Sequence, residues 1–169
     1  HTSNAHHQLV VAAWSQLLRT LKRLGDATFP LAFGTLLCVI MDNADLPQKA
    51  AFRLVLKIGK RLRLSNDEIE HARWLVEFRN SINDASDLPL AQLKRILSES
   101  RIEDLLQMQE ARLRAGDRSL DAVEFCRDFL RDTPPGEIDP PPLITGGELI
   151  AAGLQPGPRF KQILDAVRD

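Results

Sequence analysis

Tyrosine is missing from this chain of 169 residues, and aromatic side chains make up only 5% of it. Sheets draw on aromatic and β-branched residues, and strict apolar–polar alternation is also hard to find, so no sheet is expected. Cysteine is scarce as well. Cys38 and Cys126 each lie in an apolar stretch without CxxC or zinc-type spacing; they read as small core residues in a reducing compartment, and the expected location is cytoplasmic. The longest apolar run, residues 29–41, is broken by Pro30 and Gly34 and falls short of the about 20 residues needed to cross a bilayer. No membrane partner is expected. Nor does one sign of charge dominate: 22 Lys and Arg face 23 Asp and Glu, a net charge of -1. Any pull on nucleic acid must therefore be local.

Catalytic signatures are equally thin. The chain has no GxxxxGK[ST], no GxGxxG before a helix, no GxSxG and no HExxH, so the phosphate cradles, nucleophile elbows and zinc pairs those patterns build are not encoded. Histidines stand at positions 1, 6, 7 and 71 with no converging carboxylates, and His71 reads as a surface residue. Asp42, Asp45 and Asp84 follow helices; such residues cap and turn chains by default, although a hard cation also takes carboxylate oxygen. No metal ligand and no catalytic residue is assigned.

What is present is helical periodicity. Leu9, Val10, Ala13, Leu17, Leu18, Leu21 and Leu24 recur at three- and four-residue spacing up to Gly25, which predicts an amphipathic helix and its stop. Residues 31–41 are apolar nearly all round and predict a central helix, broken over 42–47. Residues 48–62 predict a third helix with Ala51, Leu54, Val55, Ile58 and Leu62 inward and Arg53, Lys57, Lys60 and Arg61 outward. Ser65 with Glu68 forms a capping-box pattern ahead of Ile69, Ala72, Leu75 and Val76. Further helices follow with Leu93, Ile96 and Leu97, then over 102–113, then over 119–130. The expected fold is all-α. Its divisions are a helical bundle over 1–132, an extended linker over 133–142 with five prolines in ten residues, and a helix pair over 143–169. In that pair Gly153 closes one short helix and Pro156, Gly157 and Pro158 open the next, the usual order of stop and start signals.

Two groups of residues suit an anionic partner. Lys57, Lys60, Arg61 and Arg63, with Arg53 one turn earlier, form the densest basic cluster; it reads as a solvated helix face or as a track for a phosphate backbone. The second group is the turn at Gly157 with Arg159 and Lys161, where a helix start and a forked cation could hold a phosphate, or where the glycine and prolines simply make a tight turn.

PPPLITGGELIAAGLQPGPRFKQILDAVRD, residues 140–169, resembles the C-terminal signature of bacterial CCA-adding enzymes and related poly(A) polymerases, the tRNA nucleotidyltransferase family. LRLSNDEIEHARWLVE, residues 62–77, is similar to the family's middle region, and FPLAFGTLL, residues 29–37, to its lead-in to an HD motif. The resemblance covers most of the chain. It implies a degenerate HD-like bundle followed by a body and tail that bind tRNA or another RNA 3′ end, with Lys57, Lys60, Arg61, Thr145, Gly146, Gly157, Arg159 and Lys161 as the RNA- or phosphate-binding residues. Where working HD members carry a metal-gripping His-Asp doublet this chain has Cys38 and Val39; Arg79 stands where members often have a His, and Arg112 where an Asp belongs. The implied hydrolase site is dismantled. No cofactor is implied in these residues, since the magnesium ions of the family serve its nucleotidyltransferase head, the partner expected N-terminal to this part in a parent protein. The alternatives are an HD-type metal-dependent phosphohydrolase and a non-enzymatic helical interaction module.

Overall fold

A computed structural model describes residues 2–44, 47–139, 146–153 and 157, with side chains from residue 11 onward except those of 12 and 146. The described residues contain helices and no strand. Helix α1 (Thr2–Leu24) stops at Gly25, whose φ of 68° lies in the left-handed region that glycine enters without strain. Gln107 then donates to the carbonyls of Leu24 and Asp26 at 2.8 and 3.1 Å, so the end of α1 is satisfied from a distant helix.

Helix α2 (Phe29–Ala44) is the centre of the bundle and packs on α1, on α3 (Gln48–Arg61), on α4 (Asn66–Phe78) and on α6 (Ile102–Ala115). Its Leu31, Phe33, Leu37, Cys38, Val39 and Met41 are all buried, and each large apolar side chain removed from water contributes about 1.5–3 kcal/mol. At Gly34 an added Cβ would lie 2.9 Å from Leu75 Cδ1, so the glycine is what lets α2 approach α4 this closely. The capping box ahead of α4 is formed: the Ser65 hydroxyl accepts from the Glu68 N–H at 3.2 Å, and the Glu68 carboxylate accepts from the Ser65 N–H at 2.8 Å. The Ser65 N–H, together with the Ser65 hydroxyl donating to the same carboxylate at 2.8 Å, holds the Glu68 carboxyl below the usual carboxylate range. Beyond α4 come a single 3-10 turn (Ala85–Asp87), α5 (Leu90–Leu97), α6 and α7 (Asp121–Asp132), with Leu93, Ile96, Leu97, Leu105, Leu106 and Met108 closing the core.

Four expectations need correction. Leu18 and Leu62 face solvent at 51% and 52% exposure; Leu62 follows the last residue of α3, and Leu64 packs against the core instead. Helix α2 continues through Asp42 to Ala44. The segment 133–142 is not wholly extended, for α8 (Pro135–Ile138) is a helical turn with proline in its first position, where a missing N–H breaks no bond, and Ile138 is buried. Finally, His71 is no plain surface residue: its Nε2 lies 2.8 Å from Asp104 Oδ2, linking α4 to α6. The last described helix, α9 (Gly146–Ala151), is followed by Gly153 at φ 86°, the stop expected there.

Candidate functional site

Helix α3 carries Lys49, Arg53, Lys57, Lys60 and Arg61 and no acidic residue, and Arg63 follows directly. Ala51, Val55 and Gly59 turn inward, and at Gly59 an added Cβ would stand 2.7 Å from Ile69 Cγ1. That close seat on α4 fixes which side of α3 meets water. All six cations are exposed. Arg63 extends the row past the helix end in a left-handed conformation, φ 58°, within a six-residue closing bond from the Leu64 N–H to the Gly59 carbonyl.

None of the six forms an ion pair among the described residues, whereas several of the arginines that follow do. Arg73 pairs with Glu70, Arg101 with Asp67, Arg114 and Arg127 with Glu110, and Arg131 with Asp128. The cause is a partition of charge along the chain: residues 1–63 hold nine Lys and Arg against three Asp and Glu, whereas residues 64–139 hold ten against seventeen. A net charge near zero thus conceals a positive N-terminal third and a negative middle. The running charge of the sequence carries this signal, and the whole-chain total hides it. Part of the cluster has an ordinary explanation, since Lys60 and Arg61 sit in the last turn of α3, where the helix dipole favours cations. Lys49, Arg53 and Lys57 lie earlier in the helix and have no such cause.

Of the other sequence-predicted binding residues, Thr145, Arg159 and Lys161 lie outside the described residues. Gly146 is the first residue of α9 and Gly157 sits in an exposed bend. Nothing described brings them together with α3.

A second centre lies where α2, α4 and α6 meet, and local sequence pattern does not announce its key residue. Cys38, Arg79 and Arg112, three positions at which the resemblance implies lost metal ligands, converge here on Asp42. Arg112 donates through Nη2 to Asp42 Oδ2 and through Nη1 to Gln109 Oε1 and to the Arg79 carbonyl, the last at 2.8 Å. Arg79 Nε lies 3.5 Å from Asp42 Oδ1, while its Nη1 donates to the Val76 carbonyl at 2.9 Å. Asp42 is therefore neither a cap nor a turn residue but the acceptor for two guanidinium groups. Cys38 beside it donates to the Leu75 carbonyl at 3.8 Å, and burial pushes its thiol up to about 12, the nearby Arg112 working against that rise. Cys126, the other core thiol, is raised to about 11 by burial. A thiol so raised is no nucleophile at neutral pH. Among the described residues no three His, Cys, Asp or Glu side chains gather to hold a metal ion, and no helix is long and apolar enough to cross a membrane.

Compared with family models, curated proteins and solved structures, the chain matches none.

Proposed function

We propose that this chain is the RNA-binding body and tail of a tRNA nucleotidyltransferase, of the kind found in CCA-adding enzymes and bacterial poly(A) polymerases, and that it holds tRNA or a similar RNA 3′ end. The observation that carries the reading is the row of six exposed cations from Lys49 to Arg63, none with a carboxylate partner among the described residues. A cation already paired loses its partner when it meets a phosphate; an unpaired one gives up only water and small ions, and counterion release then favours the complex. The resemblance of residues 140–169 and 62–77 to the family supplies the identity of the RNA. In this reading nucleotide transfer belongs to the head of a parent protein, where two magnesium ions would stabilise the attacking and leaving oxygens. The present chain binds and orients RNA.

The test is a tRNA titration at several salt concentrations with the Lys57→Ala/Lys60→Ala/Arg61→Ala variant. All three side chains are exposed, so the fold is expected to survive. For every duplex phosphate that the variant no longer neutralises, the slope of log affinity against log salt flattens by about 0.9. The expected result is a flatter slope and at least tenfold weaker binding at low salt. Unchanged affinity and slope refute the α3 track; weakening only in the Arg159→Ala/Lys161→Ala variant moves the RNA-binding surface to the tail.

A second reading, a helical module that docks on protein, rests on Val11, Trp14 and Leu18. They lie three and four residues apart on α1, each at least 50% exposed. Self-association that the Trp14→Ser substitution abolishes, together with indifference to tRNA, favours that reading.

A further inference from the structure

The Asp42 centre borders an open cleft that the RNA reading leaves unused. About 310 Å3 in volume, it is lined by Gln16, Asp42, Asn43, Asn80, Arg112 and Arg118. Arg118 also lines an adjoining cleft of about 300 Å3 with Asn83, Gln109, Ser119 and Asp121.

Its charge does not balance. Arg79 and Arg112 share the single carboxylate of Asp42, and their side chains are only 18% and 7% exposed, so one positive charge is left over in a largely desolvated place. Arg118 adds a second at the cleft wall and forms no ion pair among the described residues. Asp42 is the one carboxylate among the described residues that line this cleft, while Asp121 lines the adjoining one with Arg118 and forms no ion pair with it. The Arg79 Nε is buried without a hydrogen-bond partner among the described residues. Uncompensated charge in a poorly solvated site is costly, and a guanidinium fork meets its best match in the oxygens of a phosphate. Neutral donors are at hand too. The Asn80 amide carries no partner of its own among the described residues, while the Asn43 amide is held by the Val39 carbonyl at 2.7 Å.

From this we propose that the cleft binds a phosphate monoester dianion, with Arg118 and Asn80 as direct contacts and Asp42 and Arg112, backed by the buried Arg79, as its charged floor. Size and lining limit the ligand further. The volume is at the bottom of the roughly 300–1,000 Å3 usual for small-molecule sites, and the described residues of the lining include no aromatic side chain to stack a base. Recognition is of the phosphate, whether free, on a sugar or at the end of a polynucleotide, and a singly charged backbone diester does not satisfy the site.

Calorimetric titration of the whole chain with inorganic phosphate, ribose 5-phosphate and dimethyl phosphate, each against sodium chloride of equal ionic strength, tests this. The expected result is saturable binding of the first two and none of the diester. Arg118→Gln and Asn80→Ala replace exposed side chains and should each weaken binding about tenfold, while the α3 triple variant should bind phosphate normally; that arm separates this site from the RNA track. A 5′-phosphorylated oligonucleotide that binds at least tenfold tighter than ribose 5-phosphate, and loses that gain in Arg118→Gln, identifies the polynucleotide end as the source. Equal affinity for both identifies the small ester. Absence of saturable phosphate binding, or equal affinity in Arg118→Gln and the unaltered chain, overturns the proposal.

Discussion

Replacing Asp42 by alanine should weaken the fold far more than its partly exposed position suggests. Asp42 is the shared acceptor for Arg79 on the C-terminal side of α4 and Arg112 on α6, and the Arg112 side chain is only 7% exposed. Truncation leaves that guanidinium with the Gln109 and Arg79 oxygens but with no counter-charge. Removing one partner of a fully buried pair costs roughly 3–5 kcal/mol; Asp42 itself keeps 35% exposure, so water can follow the vacated carboxylate and about 2–3 kcal/mol is expected. With a urea dependence of about 2 kcal/mol per molar, the unfolding midpoint should fall by about 1–1.5 M. Arg112→Met tests the same pair from the other side, putting an apolar chain of similar length where the guanidinium lay. If the pair is energetically coupled, the double variant Asp42→Ala/Arg112→Met should be less destabilised than the sum of the single variants by at least about 1 kcal/mol. Urea denaturation followed by circular dichroism measures all four proteins. A midpoint shift under about 0.3 M for Asp42→Ala, or strict additivity in the double variant, refutes the claim that this cluster fastens α2 to α4 and α6.

Gly34→Ala should destabilise despite alanine's helix preference of about 0.8–1 kcal/mol, because the new methyl meets Leu75 Cδ1 at 2.9 Å and Leu75 Cβ at 3.2 Å and overpacking costs about 1–3 kcal/mol. Gly136→Ala, with nothing within 4 Å, is the control, and a thermal melt in which the two behave alike contradicts the close-approach argument. Cys38 and Cys126 are buried with thiols raised to about 12 and about 11, so at pH 8 a disulfide reagent should label neither in the native protein and both after denaturation; rapid native labelling of Cys38 shows that the α2–α4 seam opens.

How far the sequence foretells this molecule depends on how far apart the interacting residues stand. Local rules suffice where both partners lie within a turn or two. The Ser65–Glu68 cap and the inward set Ile69, Ala72, Leu75 and Val76 are readable because the helix period alone brings those groups together. Periodicity misjudges Leu18 and Leu62, since it marks an apolar face without saying how much of that face a neighbour covers. Proline counting misjudges Pro135 for a related reason: five prolines forbid a long helix but not a single turn that starts on one of them.

Long-range electrostatics is the larger blind spot, and it bears most on function. Nothing near Asp42 in the sequence announces Arg79 and Arg112, which lie 37 and 70 positions away and arrive only when α2, α4 and α6 pack. In α3 the cations are visible in the sequence, but their availability is not. Whether a lysine or arginine can attract a phosphate depends on whether a carboxylate already holds it, which a composition of 22 basic and 23 acidic residues cannot tell. Pairing decides it. Glu70, Glu110, Asp128 and Asp132 pair with arginines of their own helices, and among the described residues no carboxylate pairs with the positive row from Lys49 to Arg63. The overall charge of -1 is thus compatible with an uneven distribution of charge, and in the proposed reading the RNA backbone meets the molecule on α3.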